Sequence, residues 1–276
     1  MITIEPFGGL ANRMRVIASG IWLQQQLGIG LNVVWNINNE LACPYADLFL
    51  PIAGVNIITK PFKYYRLRRS NQPDKFAAWK AKAINTLLGF DYCIHESDFH
   101  ELIWAGKLDI LQAAKTHKRI YIQTCQEFGD NLTAFKLFKP IPAILARIEK
   151  TVQLFGPHSI GVHIRRTDNE YSVKHSPLDL FITAMEGQVR KEPETNFYLC
   201  SDDEDTKAKL KSIFGARIIT ANQKADRLSA EGMQDALIDM YCLAATQGVL
   251  GSYWSSFSDI ATRLNNIPLT VIKAEA

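Results

Sequence analysis

No Cys-x-x-Cys pair occurs in these 276 residues, and the five cysteines, at 43, 93, 125, 200 and 242, are scattered and odd in number. That spacing excludes a zinc knuckle or a dithiol redox motif and leaves small, reduced core residues. Excess charge is also lacking: the net value of +3 gives no electrostatic ground for a nucleic-acid partner. No window approaches about 18 uninterrupted apolar residues, so no membrane span is expected. The chain opens on a strand-like run, Met1–Pro6, instead of a basic segment leading into an apolar signal core, and a cytoplasmic location is expected. The six histidines show no metal-ligand spacing. The N-terminal glycines lack dinucleotide-fingerprint spacing, which disfavours NAD or FAD. What is present, 47% hydrophobic and 21% charged residues, describes a compact soluble globule long enough for two domains.

Periodicity divides the chain in two. Residues 1–5 read as a strand, 7–9 as a glycine turn, 11–27 as a helix and 31–35 as a second strand, a βαβ pattern that implies parallel pairing. Residues 36–117 are less regular, with helical patches at 74–88 and 97–114, and 118–123 reads as another strand. After Lys139-Pro140-Ile141-Pro142 a helix restarts and runs to about 154. Strands at 159–164, 196–200, 218–220, 248–250 and 269–272 then alternate with helices at 178–190, 203–214, 233–245 and 256–264. That alternation predicts an α/β chain with open, doubly wound parallel sheets: two Rossmann-like domains, 1–140 and 141–276, around a ligand cleft.

Chemistry concentrates in Gly161-Val162-His163-Ile164-Arg165-Arg166-Thr167-Asp168, where strand alternation sets His163 and Arg165 opposite Val162 and Ile164. Two arginines at a strand end stand where such sheets take ligands. A guanidinium grips phosphate bidentately, so a diphosphate clamp competes with a plain ion-paired loop. In Gly251-Ser252-Tyr253-Trp254-Ser255-Ser256-Phe257-Ser258, hydroxyls at a helix start make either an anion site or an ordinary serine cap. Asp239 has mostly apolar neighbours and needs a partner; the paired donors of guanine or an arginine such as Arg227 would each serve. Gly8-Gly9-Leu10-Ala11-Asn12-Arg13 allows close backbone approach to a ligand, or is a turn. Asp203-Glu204-Asp205 formally resembles an Asp-x-Asp manganese pair, yet opening a helix with Lys207, Lys209 and Lys211 it reads as a cap. The basic stretch 60–69, interleaved with Tyr64 and Tyr65, is a solvated loop or a groove for an acidic or sugar ligand.

Taken in order, the glycine motif ending Asn12-Arg13, Val162 to Asp168, Tyr198-Leu199-Cys200-Ser201-Asp202-Asp203 and Ser252 to Ser256 resemble the GDP-fucose-dependent fucosyltransferases. That group includes the α-1,6-fucosyltransferases, the rhizobial nodulation fucosyltransferase and the protein O-fucosyltransferases. Similarity to the α-1,6 enzymes is strongest over 161–264, and residues 36–117 carry no matching motif. The resemblance implies a GT-B fold with an acceptor-side first domain and a donor-binding second one. It further implies GDP-β-L-fucose as donor, a glycan acceptor, inversion to an α-fucoside, and no metal or other cofactor. By position it implies Arg165 on the β-phosphate, His163 and Asp239 at guanosine, and Ser255 and Ser256 in a phosphate loop continued by Phe257. Gly8, Gly9 and Asn12 belong to the N-terminal motif, and Arg166, Asp168 and Asp202 complete the donor-binding set. The chain departs from the α-1,6 pattern at Val173, where those enzymes carry a glutamate proposed as base. Glu170 and His175 are nearby substitutes of the right chemical type. The rival readings are a GT-B transferase for another nucleotide sugar and a non-catalytic nucleotide- or glycan-binding protein.

Overall fold

Each of two units, Met1–Lys139 and Pro140–Ala276, is built on its own five-stranded parallel sheet. The structure is a computed structural model that describes residues 1–60, 62–167, 170–221 and 226–274. In the first unit the elements run β1 (Ile2–Pro6), α1 (Leu10–Leu27), β2 (Leu31–Val34), β3 (Val55–Ile58), α2 (Lys75–Leu87), β4 (Tyr92–Ile94), α3 (Glu96–Asp98), α4 (Ile110–Thr116) and β5 (Ile120–Thr124). The sheet order is β3-β2-β1-β5-β4, with β1 central and buried along its whole length. β1 alternates apolar Ile2 and Ile4 with polar Thr3 and Glu5, yet all are buried, because a central parallel strand is covered on both faces.

The helix start at the glycine turn and its stop at Gly28, left-handed with φ 64° and its N–H on the Gln24 carbonyl, follow the expected pattern. One expected helix fails, and two strands appear in the region read as less regular. The helical patch at 97–114 is broken, because the Asp98 carboxylate turns back to the His95 N–H (2.9 Å). A single π-helical turn, Phe99–Ile103, follows, then Gly106 at φ 68°, and α4 restarts under an Asp109 cap. Strands β3 and β4 lie at the sheet edges, and β3 is half-exposed, so neither prints a clear alternation. The 60–69 stretch is not simply solvated. Lys60 forms a buried pair with Glu5 (2.5 Å), and Arg69 reaches Asp98 (2.7 Å) and Glu101 (2.5 Å).

The second unit runs α5 (Pro142–Val152), β6 (Ser159–Ile164), α6 (Glu170–His175), α7 (Leu178–Lys191), β7 (Asn196–Ser201), α8 (Glu204–Phe214), β8 (Ile218–Ile219), α9 (Ala230–Ala244), β9 (Val249–Ser252), α10 (Ser256–Asn265) and β10 (Leu269–Ile272). Its order is β10-β9-β6-β7-β8. Val162 and Ile164 of β6 join Phe197 and Leu199 of β7, Phe181 and Met185 of α7 and Leu210 of α8 in one buried cluster. Asp203 is the N-cap of α8, its carboxylate accepting from the Thr206 N–H (2.9 Å), so the Asp-x-Asp segment is a cap.

One buried hydroxyl holds α1 to the loop after β5. Ser19 Oγ donates to the Arg15 carbonyl (2.9 Å) and accepts from the Phe128 N–H (2.9 Å) and the Asn131 amide (2.8 Å). Ser19→Ala strands two buried donors, and a loss of roughly 2–3 kcal/mol is expected in chemical denaturation. A midpoint unchanged from the parent chain would show that water replaces the hydroxyl.

Candidate functional site

The carboxyl ends of β6, β7 and β9 bring most of the chosen residues together. Register pairs Ile164 with Ser201, so Asp202 arrives beside Arg165 and Arg166. One Asp202 oxygen accepts the Arg166 N–H (2.7 Å); the other accepts the Thr167 hydroxyl (2.8 Å) and lies 3.2 Å from Arg165 Nε. Burial alone would raise the Asp202 pKa, but Arg165 and these hydrogen bonds hold it below the usual carboxylate range. Burial lowers the pKa of both arginines, and the nearby Arg227 charge lowers that of Arg165 further. Both stay cationic at neutral pH. Asp168 lies outside the described residues.

Two buried polar atoms at this end have no hydrogen-bond partner among the described residues: Arg166 Nη2 and His163 Nδ1. His163 is stacked on Phe257 (centroids 4.8 Å apart). Burial, then the Arg165 charge, push its pKa down to about 3, so the imidazole is neutral. Ser252 Oγ accepts the Arg165 N–H (3.1 Å) and donates to the His163 carbonyl (3.4 Å), tying β9 to the end of β6. A buried polar atom without a partner is expensive unless a ligand completes it.

The segment after β9 is held at Tyr253 by two serines. Ser172 Oγ donates to the Tyr253 carbonyl (2.6 Å), and Ser176 Oγ accepts the Tyr253 N–H (2.8 Å) and donates to the Ile272 carbonyl (2.6 Å). This grip keeps Trp254 in the left-handed region at φ 59°, a strained state for a bulky residue. Ser255 is the N-cap of α10 and makes no side-chain cap bond among the described residues, which leaves first-turn N–H groups for an anion beside the half-buried Ser256 and Phe257. The polar loop expected to hold Glu170 and His175 is instead helix α6. Glu170 begins it, exposed, while His175 ends it within a ring cluster, 6.4 Å from Tyr171 and 5.4 Å from Tyr253.

Asp239 finds a protein partner that the motifs do not indicate. The Tyr198 hydroxyl on β7 donates to its Oδ1 (2.6 Å), while Asp235 pairs with Arg147 (2.5 Å). Burial raises the Asp239 pKa to about 6 against the Tyr198 hydrogen bond, which lowers it. Tyr198 belongs to the Tyr198–Asp203 motif, which by itself points to no role for its hydroxyl. A carboxylate on an apolar helix and a tyrosine on a buried strand were each short of a partner, and that shared lack was the available signal.

In the first unit, Gly8 (φ 80°) donates its N–H to Glu40 (3.0 Å). That left-handed φ favours glycine, and a side chain there would also meet the Asn12 amide at 2.7 Å. Gly9 is the extended N-cap of α1. Arg13, missed by the sequence reading, is fully buried: Nε reaches the Gly8 carbonyl (2.9 Å), Nη1 the Asn36 carbonyl and Nη2 the Asn38 side chain (3.0 Å), over the Trp35 ring (5.1 Å). Burial pushes its pKa down to about 10. Arg13 thereby fixes one wall of a cavity of about 420 Å³ lined by Glu5, Phe7, Trp35, Asn38, Lys60 and Tyr65 among others. Glu5 lies at the carboxyl end of the central strand and accepts from Tyr121, Asn36 (3.0 Å), Gln123 (3.1 Å) and Lys60.

No family model and no curated protein matches the sequence. Among solved structures, the NodZ α-1,6-fucosyltransferase soaked with GDP-fucose is similar over 95% of this chain and 92% of its own, with TM-score 0.62 and 22% identity. The NodZ fucosyltransferase from Bradyrhizobium gives 94% and 92% coverage, TM-score 0.61 and 21% identity. POFUT1 in complex with GDP is similar over 98% of this chain and 97% of its own, with TM-score 0.58 and 11% identity. The fold is therefore α/β of the GT-B type, two Rossmann-like units. It is the architecture of the fucosyltransferases that the motifs resemble.

The Asp239 pKa makes stability depend on pH. In the folded chain it keeps its proton up to about pH 6, whereas unfolded it releases it near pH 4. The folded state thus binds the extra proton in that window, and the contribution is complete below pH 4 and lost as pH rises through about 6. Asp239→Asn keeps an acceptor for Tyr198 without the charge. It should gain roughly 1–3 kcal/mol over the parent at pH 7 and little near pH 4. Equal shifts in thermal melts at both pH values would refute a buried, titrating carboxylate.

Proposed function

We propose that this chain is an inverting glycosyltransferase that moves L-fucose from GDP-β-L-fucose to a glycan acceptor, giving an α-fucoside without a metal. The observation that carries the reading is the half-buried arginine pair at the end of β6, one with an orphaned guanidinium nitrogen, beside the first turn of α10. Two cations and a helix N-terminus suit a diphosphate and supply the charge that a metal would otherwise bring. The fold shared with a fucosyltransferase soaked with GDP-fucose and with one in complex with GDP supports the choice of donor.

In this reading Arg165 contacts a β-phosphate oxygen and Arg166 completes its buried hydrogen bonding on the diphosphate. Neutral His163 and Asp239 are assigned to guanosine, with Asp202 and Phe257 holding the arginine and histidine in place. Asp168 joins the donor site, as do Gly8, Gly9 and Asn12 of the glycine turn, Gly8 within the limit that its N–H is occupied by Glu40. The acceptor hydroxyl attacks the anomeric carbon from the face opposite GDP, the carbon–oxygen bond to the phosphate breaks, and the acceptor proton passes to a base. Glu170 and His175 on α6 are the candidates. The cavity at Glu5, Trp35 and Tyr65 offers aromatic and polar walls of the kind a sugar acceptor needs, within the usual ligand-site range of about 300–1,000 Å³. Five free cysteines fit a reducing, cytoplasmic setting.

A phosphate oxygen gains charge as the fucose–phosphate bond lengthens, so a fixed fork at that oxygen favours the transition state over the ground state. Arg165→Lys keeps charge but loses the fork, and kcat should fall on the order of 10²-fold or more, with Arg166→Lys losing less. Steady-state kinetics decide: a near-normal Arg165→Lys beside a collapsed Arg166→Lys reverses the two assignments. Transfer should continue in excess EDTA; complete loss restored by manganese would overturn the metal-free reading. GDP should raise Tm more than UDP or ADP does, and an equal response to all three would remove the guanosine assignment.

A further inference from the structure

Helix α2 is turned inside out relative to an ordinary surface helix. At about 100° per residue, Phe76, Trp79, Ala83 and Leu87 fall within roughly 80° of one another on one stripe. That stripe faces solvent: Phe76 is 69%, Trp79 66% and Leu87 86% exposed. The opposite side is the docked one, where Ala81 and Asn85 are buried. Asn85 is bonded twice to the backbone of Arg68, accepting its N–H (2.8 Å) and donating to its carbonyl (2.6 Å). Leu88 packs on the cluster of Tyr64, Leu67 and Phe90. The helix is thus anchored in this orientation, and its aromatic rings stack on each other (6.1 Å) rather than on the body of the unit.

Lysines border the stripe on both sides, Lys80 on one and Lys75 and Lys82 on the other, all exposed, and α2 contains no aspartate or glutamate. Exposed Arg68 adds to the same sign at the anchor. An apolar crest of Phe, Trp and Leu rimmed by cations matches the headgroup zone of an anionic bilayer, where rings enter the acyl boundary and ammonium groups meet lipid phosphate. With 13 residues the helix is too short to cross a membrane, and no described helix is long and apolar enough to do so. We propose that α2 is a membrane-surface contact that seats this chain reversibly on anionic lipid. The proposal does not depend on which sugar nucleotide the second unit takes.

The test is co-sedimentation of the full chain with vesicles of equimolar phosphatidylglycerol and phosphatidylcholine, against phosphatidylcholine alone. The parent chain is expected to partition onto the anionic vesicles, with Trp fluorescence shifting to the blue and binding weakening in high salt. The double variant Phe76→Ser, Trp79→Ser should lose on the order of tenfold or more in partitioning. The triple variant Lys75→Glu, Lys80→Glu, Lys82→Glu should lose the preference for anionic lipid. All these side chains are exposed, so the GDP-induced rise in Tm should match that of the parent; an unchanged melting curve without nucleotide certifies the fold even if GDP is not the ligand. Failure of the parent to bind either vesicle, or undiminished binding by the double variant, overturns the proposal. So does a dimer in sedimentation velocity that dissociates in the double variant, which assigns the stripe to a second copy of the chain.

Discussion

The Asp202 carboxylate is the constraint on which the second unit's site depends. Parallel pairing of β6 and β7 delivers it to the point where the chain leaves β6. There it takes a backbone N–H from Arg166, a hydroxyl from Thr167 and the charge of Arg165. Two half-buried guanidiniums on adjacent residues repel each other; Asp203 supplies counter-charge to Arg166, and Asp202 supplies it to both. Asp202 offsets that cost while leaving Arg166 Nη2 unpartnered among the described residues. One carboxylate thereby gives the loop its shape and keeps positive charge for a ligand.

The other polar devices of this unit repeat that division of labour. Ser252 spans from β9 to the backbone on both sides of Ile164, and Ser172 with Ser176 clamps Tyr253, holding Trp254 in a left-handed conformation. Burial keeps the Asp239 carboxyl easily protonated against the Tyr198 hydrogen bond and the Lys207 charge. The first unit follows the same rule with different charges. Glu5 is surrounded by Tyr121, Asn36, Gln123 and Lys60, and Arg13 bridges Gly8 to the Asn36–Asn38 segment. In each unit one such charge, Glu5 in β1 or Asp202 after β7, stands at the carboxyl end of a strand, where open parallel sheets take ligands.

Local patterns were informative where one face of an element meets the core. Strands β6 and β10 and the start of α7 match their expected bounds, because short apolar and β-branched runs alternate with helical stretches in this half of the chain. Asp203 was legible as a cap, since its chemistry is complete within three residues. Edge strands β3 and β4 were not, being short or half-exposed. Nor was the break after Asp98, where a carboxylate tied to Arg69 across 29 positions competes with the helix.

By itself, then, the amino-acid order determined the alternation of strands and helices, the parallel character of both sheets and the placing of Arg165 and Arg166 at a strand end. All of these follow from spacing between near neighbours. Only the tertiary structure decided that Asp239 answers to Tyr198, that Arg13 is a buried bridge, that Lys60 neutralises Glu5 and that α2 turns Phe76 and Trp79 outward. Those outcomes depend on which of several compatible partners lies nearest once the sheets have formed. A buried charge takes the partner that the strand order brings within hydrogen-bond distance, and that order is not recorded in the periodicity of any one segment.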